Sequence, residues 1–394
     1  MPSCRVCRSQ SVNPVTDFGQ VSISNQFFEE GHSPAYRQAL SWQECQTCGV
    51  VQLSDVPPIE QIQPRFPWIK YAEPEGHLDE TARDVANVTQ FGRAERIVGF
   101  TRDDGALLRR LDFGQACLLD SVIDLGLTSE NVGMESVQAA WTVPRARQVV
   151  EKHGPADLVI ARYALEHCHD AAEFLAACSQ LLTPEGYLLI EVPDSQAAFA
   201  DVDVTAVWEE HTLYFTELTL QQGLHRAGFE TAYFRRVPDP MEDRLVWMGR
   251  ASAPPSVAPQ RSSLEPAVQS FANIWPRRKE ALRRWAQEIG SDGGRLAVFG
   301  AGHRASTLID IMELAEFLDC VIDDSPEKQK LRFPAGGLPI RGSEALVERQ
   351  ISYCLLVVNP GAEEKIVNRN AEYVARGGQF VSLYPRSPRA LRLS

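Results

Sequence analysis

The fold is decided by Asp157–Phe215, which reads DLVIARYALEHCHDAAEFLAACSQLLTPEGYLLIEVPDSQAAFADVDVTAVWEEHTLYF. A short apolar run, Leu158 to Ala161, lies between Asp157 and Arg162. Runs of this length, rich in Val and Ile, suit a strand buried on both faces of a parallel sheet. Ala172, Phe174, Leu175, Cys178 and Leu181 then recur on one side of a helical pattern. Pro184, Glu185 and Gly186 supply a turn, and Tyr187 to Val192 reads as a second strand. This strand–helix–strand unit belongs to an α/β, doubly wound sheet, whose ligands bind beyond the carboxyl ends of the strands. Arg162 and Tyr163 mark one such end, and Glu191 to Asp194 another. Further on, Trp208-Glu209-Glu210-His211-Thr212-Leu213-Tyr214-Phe215 sets an imidazole beside carboxylates, with a phenol three residues later. That is a general-base constellation. The alternative is an amphipathic segment in which His211 and Tyr214 are ordinary packed residues.

A chain of 394 residues implies two or three domains and a substantial core. The net charge of −13, from 52 acids against 39 bases, argues against a nucleic-acid or anionic-membrane binder. No apolar run approaches the roughly 20 residues of a membrane span. The amino terminus, MPSCRVCRSQ, lacks the apolar region of a signal peptide. Nine cysteines, four of them in two CxxC pairs, point to metal binding in a reducing compartment, hence the cytoplasm, rather than to a disulfide scaffold.

Those pairs are Cys4/Cys7 and Cys45/Cys48. Each presents two thiolates from a tight turn, and four thiolates close a tetrahedral structural zinc site with no vacancy for substrate. Free or redox thiols are the alternative. Metal binding would supply folding energy to a segment with little core of its own. After the second pair, Phe66 to His77 is dense in aromatic and ionisable groups and reads as a loop leading into a helix near Leu78.

At the other end, Ala251 to Ser263 (ASAPPSVAPQRSS) is a Pro/Ser-rich boundary. Val268, Phe271, Ile274, Trp275, Leu282 and Trp285 then follow a helical period, which Pro276 interrupts. One kinked helix or two helices are expected. An apolar strand from Arg295 runs into Gly300-Ala301-Gly302-His303-Arg304-Ala305, and Asp323 and Asp324 end a second strand about 20 residues on. That order fits a dinucleotide fingerprint with Gly300 and Gly302 as the close-approach glycines, and points to NAD(P) or flavin. His303 and Arg304, at a helix start, are placed to hold a phosphate. A structural domain without ligand is the alternative.

Leu165–His167, Asp170, Phe174, Leu175, Leu181, Leu182, Pro184, Gly186 and Ile190–Pro193, followed by Glu210, His211, Tyr214 and Phe215, carry a resemblance. They resemble the class I S-adenosylmethionine (SAM) methyltransferase fold, and more narrowly the three-domain sugar C-methyltransferases that act on nucleotide-linked deoxysugars. Cys48-Gly49-Val50-Val51-Gln52-Leu53 resembles the text of that family's zinc module. Gly300, Ala301, Thr307, Leu308, Asp323, Asp324, Lys328, Pro334 and Leu338–Ile340 resemble its Rossmann-like C-terminal domain, which there helps to build the substrate cleft. The resemblance implies that SAM binds at Gly99–Leu108, where the family reads like EIGxNDGxLL. Asp104, Gly105, Leu107 and Leu108 keep the second half of that motif, whereas Gly99 replaces its acid and Thr101 its close-approach glycine. Asp120, with Ser121, ends the next strand and is placed for ribose hydroxyls. The resemblance also implies a tyrosine-bearing segment over the site, with Tyr71 the candidate and Glu73 and His77 behind it. Glu210 and His211 match the family's catalytic Tyr-x-Glu-His, while Trp208 occupies the tyrosine position and Tyr214 is the possible compensation. His167 reads as a structural helix-entry residue.

The expected organisation is therefore a zinc-binding module over 1–80, a class I methyltransferase-like domain over 81–250, a linker and helix over 251–290, and a Rossmann-like domain over 291–394. The expected function is SAM-dependent C-methylation of a nucleotide-linked keto sugar, with His211, supported by Glu210, removing the proton α to the ketone. The candidate cofactor contacts are Thr101, Asp104, Gly105, Asp120, Ser121 and Arg162. Three outcomes stay open for the altered loop: SAM in an adapted pocket, another adenosine-like or nucleotide ligand, or an empty scaffold. The alternative function is a nucleotide-sugar-modifying or NAD(P)-linked enzyme on the same frame.

Overall fold

The computed structural model describes residues 3–32, 36–69, 75–93, 95–127, 133–252 and 266–392. They form three sheets. The first is antiparallel, in the order Val12–Ser22, Arg37–Cys45, Val51–Leu53 and Leu213–Tyr214. Its last strand comes from far along the chain, pairing Val51 with Tyr214 and Gln52 with Leu213. The amino-terminal module is thus completed by residues beside His211, a long-range pairing outside any local sequence pattern.

The second sheet runs in the order Gln115–Leu118, Arg96–Gly99, Ala156–Arg162, Leu182–Pro193, Arg244–Ala251 and Phe229–Val237. The first four strands are parallel and the last two form an antiparallel hairpin on Leu182–Pro193. Leu158, Val159, Ile160 and Ala161 are fully buried, as a strand covered on both faces requires. The helix Ala171–Leu181 lays Phe174, Leu175, Cys178 and Leu181 into that core. Pro184 to Gly186 is a bulge inside the strand Leu182–Pro193. The register steps from Ala156 opposite Leu182 to Leu158 opposite Tyr187, and Pro184 and Glu185 bow out into solvent.

The third sheet is parallel, in the order Ile340–Arg341, Leu318–Ile322, Leu296–Phe299, Tyr353–Leu356 and Gln379–Ser382. Its order reverses at Leu296–Phe299, whose carboxyl end therefore opens on the crevice where doubly wound sheets place ligands.

One helix, Pro266–Ser291, joins the sheets and runs continuously through Pro276, whose ring sits on its exposed side. Val268, Phe271, Trp275, Leu282, Ala286 and Ile289 form its buried face. Ile274, expected on that face, is 36% exposed, because it lies about 100° around the helix from Trp275. Trp42 is the hub of the junction. Its ring lies 5.0 Å from Phe18, 4.8 Å from Tyr214, 4.8 Å from Phe271 and 5.5 Å from Phe199. Aromatic side chains from three parts of the chain thus supply the core that the cysteine-rich segment lacks by itself. Among the described residues no helix is long and apolar enough to cross a membrane.

Candidate functional site

A cavity of about 430 Å³ opens where the three sheets meet. The start of the helix Arg102–Leu108 forms one wall, with Thr101, Arg102 and Asp103. Glu166, His167, Trp208, Glu210 and His211 form a second, and His303 and Arg304 of the C-terminal domain a third.

The floor is a cluster of rings. Trp208 lies 4.6 Å from His211 and stacks on His303 at 4.2 Å with planes 20° apart. His167 meets His211 edge-on at 4.8 Å. The indole N–H of Trp208 donates to Ser24 Oγ at 3.0 Å, and its backbone N–H donates to Tyr214 Oη at 3.0 Å. Burial holds the imidazoles neutral: His211 well below its ordinary range, with His167, His303 and Arg304 adding to the effect, His167 at about 4 and His303 at about 3. Burial acts on the carboxyls in the opposite sense. Glu209 is pushed up to about 7 and Glu210 well above its usual range, with Glu209 and Glu135 reinforcing the shift at Glu210. Asn25 Nδ2 donates to Glu210 Oε1 at 3.1 Å, and Ser24 N donates to Glu209 Oε1 at 2.6 Å. The amino-terminal module thereby fixes both acids.

Beneath the first wall lies a network of buried charge. Arg162 Nε donates to Glu191 Oε2 at 2.5 Å, while His77 Nε2 and Tyr163 Oη reach Glu191 Oε1 at 2.7 and 3.0 Å. Arg162, followed by His77, holds Glu191 at about 2 against the opposing effect of burial. Asp104 accepts the amide N–H groups of Phe100 at 2.8 Å, Thr101 at 2.9 Å and Arg162 at 2.8 Å. Thr101 caps the helix, taking the Asp104 amide in return. A Cβ on Gly99 would lie 2.6 Å from Asp104 Cβ. Asp104 therefore fills the space that an acid at 99 would need.

The sequence candidates separate accordingly. Thr101, Glu210 and His211 line the cavity. Asp104, Gly105 and Arg162 lie behind its wall, with Asp104 and Arg162 fully buried. Asp120 Oδ1 accepts the amides of Val122 and Ile123, making a turn after the strand, and Ser121 belongs to that turn. Tyr214 is spent on the backbone of Trp208 and is absent from the cavity wall, so it does not replace the missing phenol. His77 pairs with Glu191 behind the loop rather than over His211. Tyr71 and Glu73 lie outside the described residues. His167, read as structural, is a wall residue whose Nδ1 has no partner among the described residues. Its sequence signal was its place five residues beyond a strand's carboxyl end.

The dinucleotide expectation meets a filled site. Asp323, the acid of that fingerprint, accepts the amide of Ala301 and Lys328 Nζ on Oδ2, both at 2.9 Å, and the amide of Ser325 on Oδ1. Gly300 adopts φ 104° and packs on Val357, so its freedom serves the turn. Arg304, expected to hold phosphate, is engaged by Glu242 at 2.9 Å and by Asp203 and Thr205. The loop thus docks the C-terminal domain and delivers His303 to the cavity.

Three family matches follow one another along the chain: a putative zinc binding domain over residues 4–62, a methyltransferase domain over 93–233, and the C-methyltransferase C-terminal domain over 263–385. In kind and order these matches make the chain similar to the three-domain C-methyltransferases. The C-methyltransferase NovU of Streptomyces niveus is 24% identical, across 98% of this chain and 96% of its own length. Among solved structures, 1,6-didemethyltoxoflavin-N1-methyltransferase of Burkholderia thailandensis, with bound S-adenosylhomocysteine, is 18% identical over 45% of this chain and 80% of its own, with a TM-score of 0.31. Magnesium protoporphyrin IX methyltransferase of Synechocystis PCC 6803 is 10% identical over 45% and 83%, with a TM-score of 0.30.

The groups that such a C-methyltransferase uses fit its residues. Cys4, Cys7, Cys45 and Cys48 bring their sulfurs within 4.8 Å of one another, with Cys4–Cys48 and Cys7–Cys45 both at 3.6 Å. A tetrahedral zinc with bonds of about 2.3 Å sets its sulfurs roughly 3.8 Å apart, so the four thiolates make a closed structural site. For SAM, the fitting observation is Arg162. Its Nη2 is buried with no partner among the described residues, at a strand's carboxyl end, and a ligand carboxylate would complete it. Beside Asp120, the exposed apolar side chains of Leu118, Val122 and Ile123 are surface that an adenine ring would cover. A second metal-like group, Glu166, His167 and His211, also has its donor atoms within 4.8 Å.

Proposed function

We propose that this C-methyltransferase takes the methyl group of SAM and places it on the carbon next to the ketone of a nucleotide-linked keto deoxysugar. The observation that carries the reading is His211: a half-buried imidazole, held neutral by desolvation and by His167, His303 and Arg304, lining a cavity beyond the carboxyl ends of the methyltransferase strands. A neutral imidazole accepts a proton, and a positioned base is what carbon methylation needs from the protein. SAM, when bound, supplies an electrophilic methyl and leaves as S-adenosylhomocysteine.

His211 takes the proton α to the ketone. The C–H electron pair forms the carbon–carbon double bond of an enolate, whose charge falls on the ketone oxygen. Carbon then carries that electron pair to the methyl group. Glu210, kept protonated by burial, adds no negative charge beside the developing enolate. Arg162 and the Asp104-bound loop orient the donor. The cavity volume suits one hexose ring, and the exposed Arg102 at its edge supports a diphosphate that stays hydrated. Nine cysteines, with no disulfide among the described residues, support a cytoplasmic setting, and the net charge supports a partner other than nucleic acid.

The test supplies zinc-loaded protein with methyl-deuterated SAM and a nucleoside diphosphate 4-keto-6-deoxysugar. The reading expects a product carrying an intact labelled methyl on carbon, with one substrate C–H lost. A methyl on oxygen, or no transfer to any nucleotide-linked ketone, would overturn it.

A further inference from the structure

Enolate formation needs a hydrogen-bond donor at the ketone oxygen as well as a base at carbon, because charge on an unsupported oxygen in a dry cavity is costly. Position 208, where the resemblance places a tyrosine, cannot supply one. Its side chain is an indole, and the indole N–H is turned out of the cavity to Ser24 Oγ at 3.0 Å. Tyr214, the nearest phenol in sequence, gives its hydroxyl to the backbone of Trp208. What does lie on the cavity face of the indole is an imidazole from another domain, that of His303, stacked at 4.2 Å.

We propose that His303 is a further catalytic residue of this enzyme, an N–H donor to the ketone oxygen that stabilises the enolate His211 creates. The inference rests on the methyl-transfer reading above and adds a partner to its base.

Three features of the chain place His303 for that work. It is the first residue of the helix His303–Ile311, so the unpaired amides of the helix start disfavour a positive charge on its ring. A neutral imidazole at a helix start is suited to polarise a carbonyl rather than to protonate it. Burial and the neighbouring Arg304 act in the same direction, lowering its pKa to about 3. Its position is rigid: Gly300 turns the chain at φ 104°, Asp323 ties down the Ala301 amide, and Arg304 is clamped by Glu242 and Asp203. It is also close enough to His211 to influence that ring electrostatically, so one substrate can meet both. The G-x-G-x-x-A loop, which reads as a dinucleotide fingerprint, would on this account bring a catalytic side chain across the domain boundary.

The test measures solvent deuterium entering the α-carbon of a nucleoside diphosphate 4-keto-6-deoxysugar, with S-adenosylhomocysteine in the donor site. Wild type, His303→Ala, His303→Gln and His211→Gln are compared. Loss of an oxyanion donor lowers turnover by about 10²–10³-fold. His303→Ala should lose that much in kcat for exchange with KM little changed, and His303→Gln, which keeps an N–H, should recover part of it. Wild-type exchange in His303→Ala would overturn the inference while leaving the methyl-transfer reading intact. So would a loss confined to KM, or one that the Gln variant fails to relieve. Absence of exchange in the wild-type enzyme would sink the methyl-transfer reading, and this inference with it.

Discussion

Glu210 and His211 are adjacent in sequence, and burial drives both toward neutrality, the acid by keeping its proton and the imidazole by losing it. The pair is therefore poised as neutral acid and neutral base at the pH of a cell. The sign of the resulting pH dependence is fixed. His211 must be unprotonated to act, and burial with the neighbouring His167, His303 and Arg304 holds its pKa well below the ordinary imidazole range. Activity should therefore persist as pH falls through the ordinary imidazole range and be lost only at lower values. An acid limb of kcat/KM centred near the free-histidine value would contradict this. His211→Gln should lower methylation by about 10²–10⁴-fold while leaving SAM binding, measured by calorimetry, near the wild-type value. The base role also predicts one zinc per chain by elemental analysis. A second metal on Glu166, His167 and His211 would make His211 a ligand and remove it as base. Much of this site was legible: Glu210 and His211 stood out as an acid–imidazole pair, and Trp208 as a substitution within a known pattern. His303 and His167 were visible as residues but not as neighbours, since nothing local in a sequence tells that a turn in one domain meets a strand end in another.

At the scale of the element, the loop Gly99–Asp104 shows how a motif can change its letters and keep a function for its space. Read linearly, Gly99 is a missing acid and Thr101 an intrusive side chain. In three dimensions Asp104 reaches back into the volume beside Gly99 and collects three amides, and Thr101 becomes a helix cap. Asp104→Ala would leave those buried donors without an acceptor, and an unsatisfied buried group costs about 1–3 kcal/mol. Chemical denaturation should show a loss of at least that size, and SAM affinity should fall with it. Unchanged stability would mean that the loop holds its shape without this carboxylate. The apolar runs and helix faces of the second sheet were legible because their periodicity is local. Of the two readings Pro276 left open, one helix or two, the structure takes the single helix, since a proline ring on the exposed side leaves the buried face uninterrupted.

Over the whole molecule, the zinc module is a working part of the cavity rather than an appendage. Asn25 and Ser24 hold Glu210 and Glu209, and the strand Leu213–Tyr214, two residues past His211, completes the module's sheet. Removing the metal should therefore cost activity as well as stability, although none of the four zinc-site cysteines lines the cavity. Stripping zinc with a chelator is expected to lower the Tm and abolish methyl transfer together, with both restored by added zinc; retention of full activity by zinc-free protein would refute this coupling. Trp42→Ala should act on the same junction, at about 3–5 kcal/mol for a large buried aromatic, read as an early unfolding step. The order of the parts was legible from the cysteine pairs and the strand–helix–strand unit, both local signals, while the Pro/Ser-rich stretch lies almost wholly outside the described residues. The domain contacts were not, because Leu213, Arg304 and Asn25 act through partners far away in sequence. The measurement that bears most directly on the central claim is solvent deuterium exchange at the carbon next to the ketone of a nucleoside diphosphate 4-keto-6-deoxysugar. Wild-type enzyme should exchange that one hydrogen without turnover of SAM, and His211→Gln should not. Exchange at the wild-type rate in His211→Gln would place the base elsewhere and contradict the account.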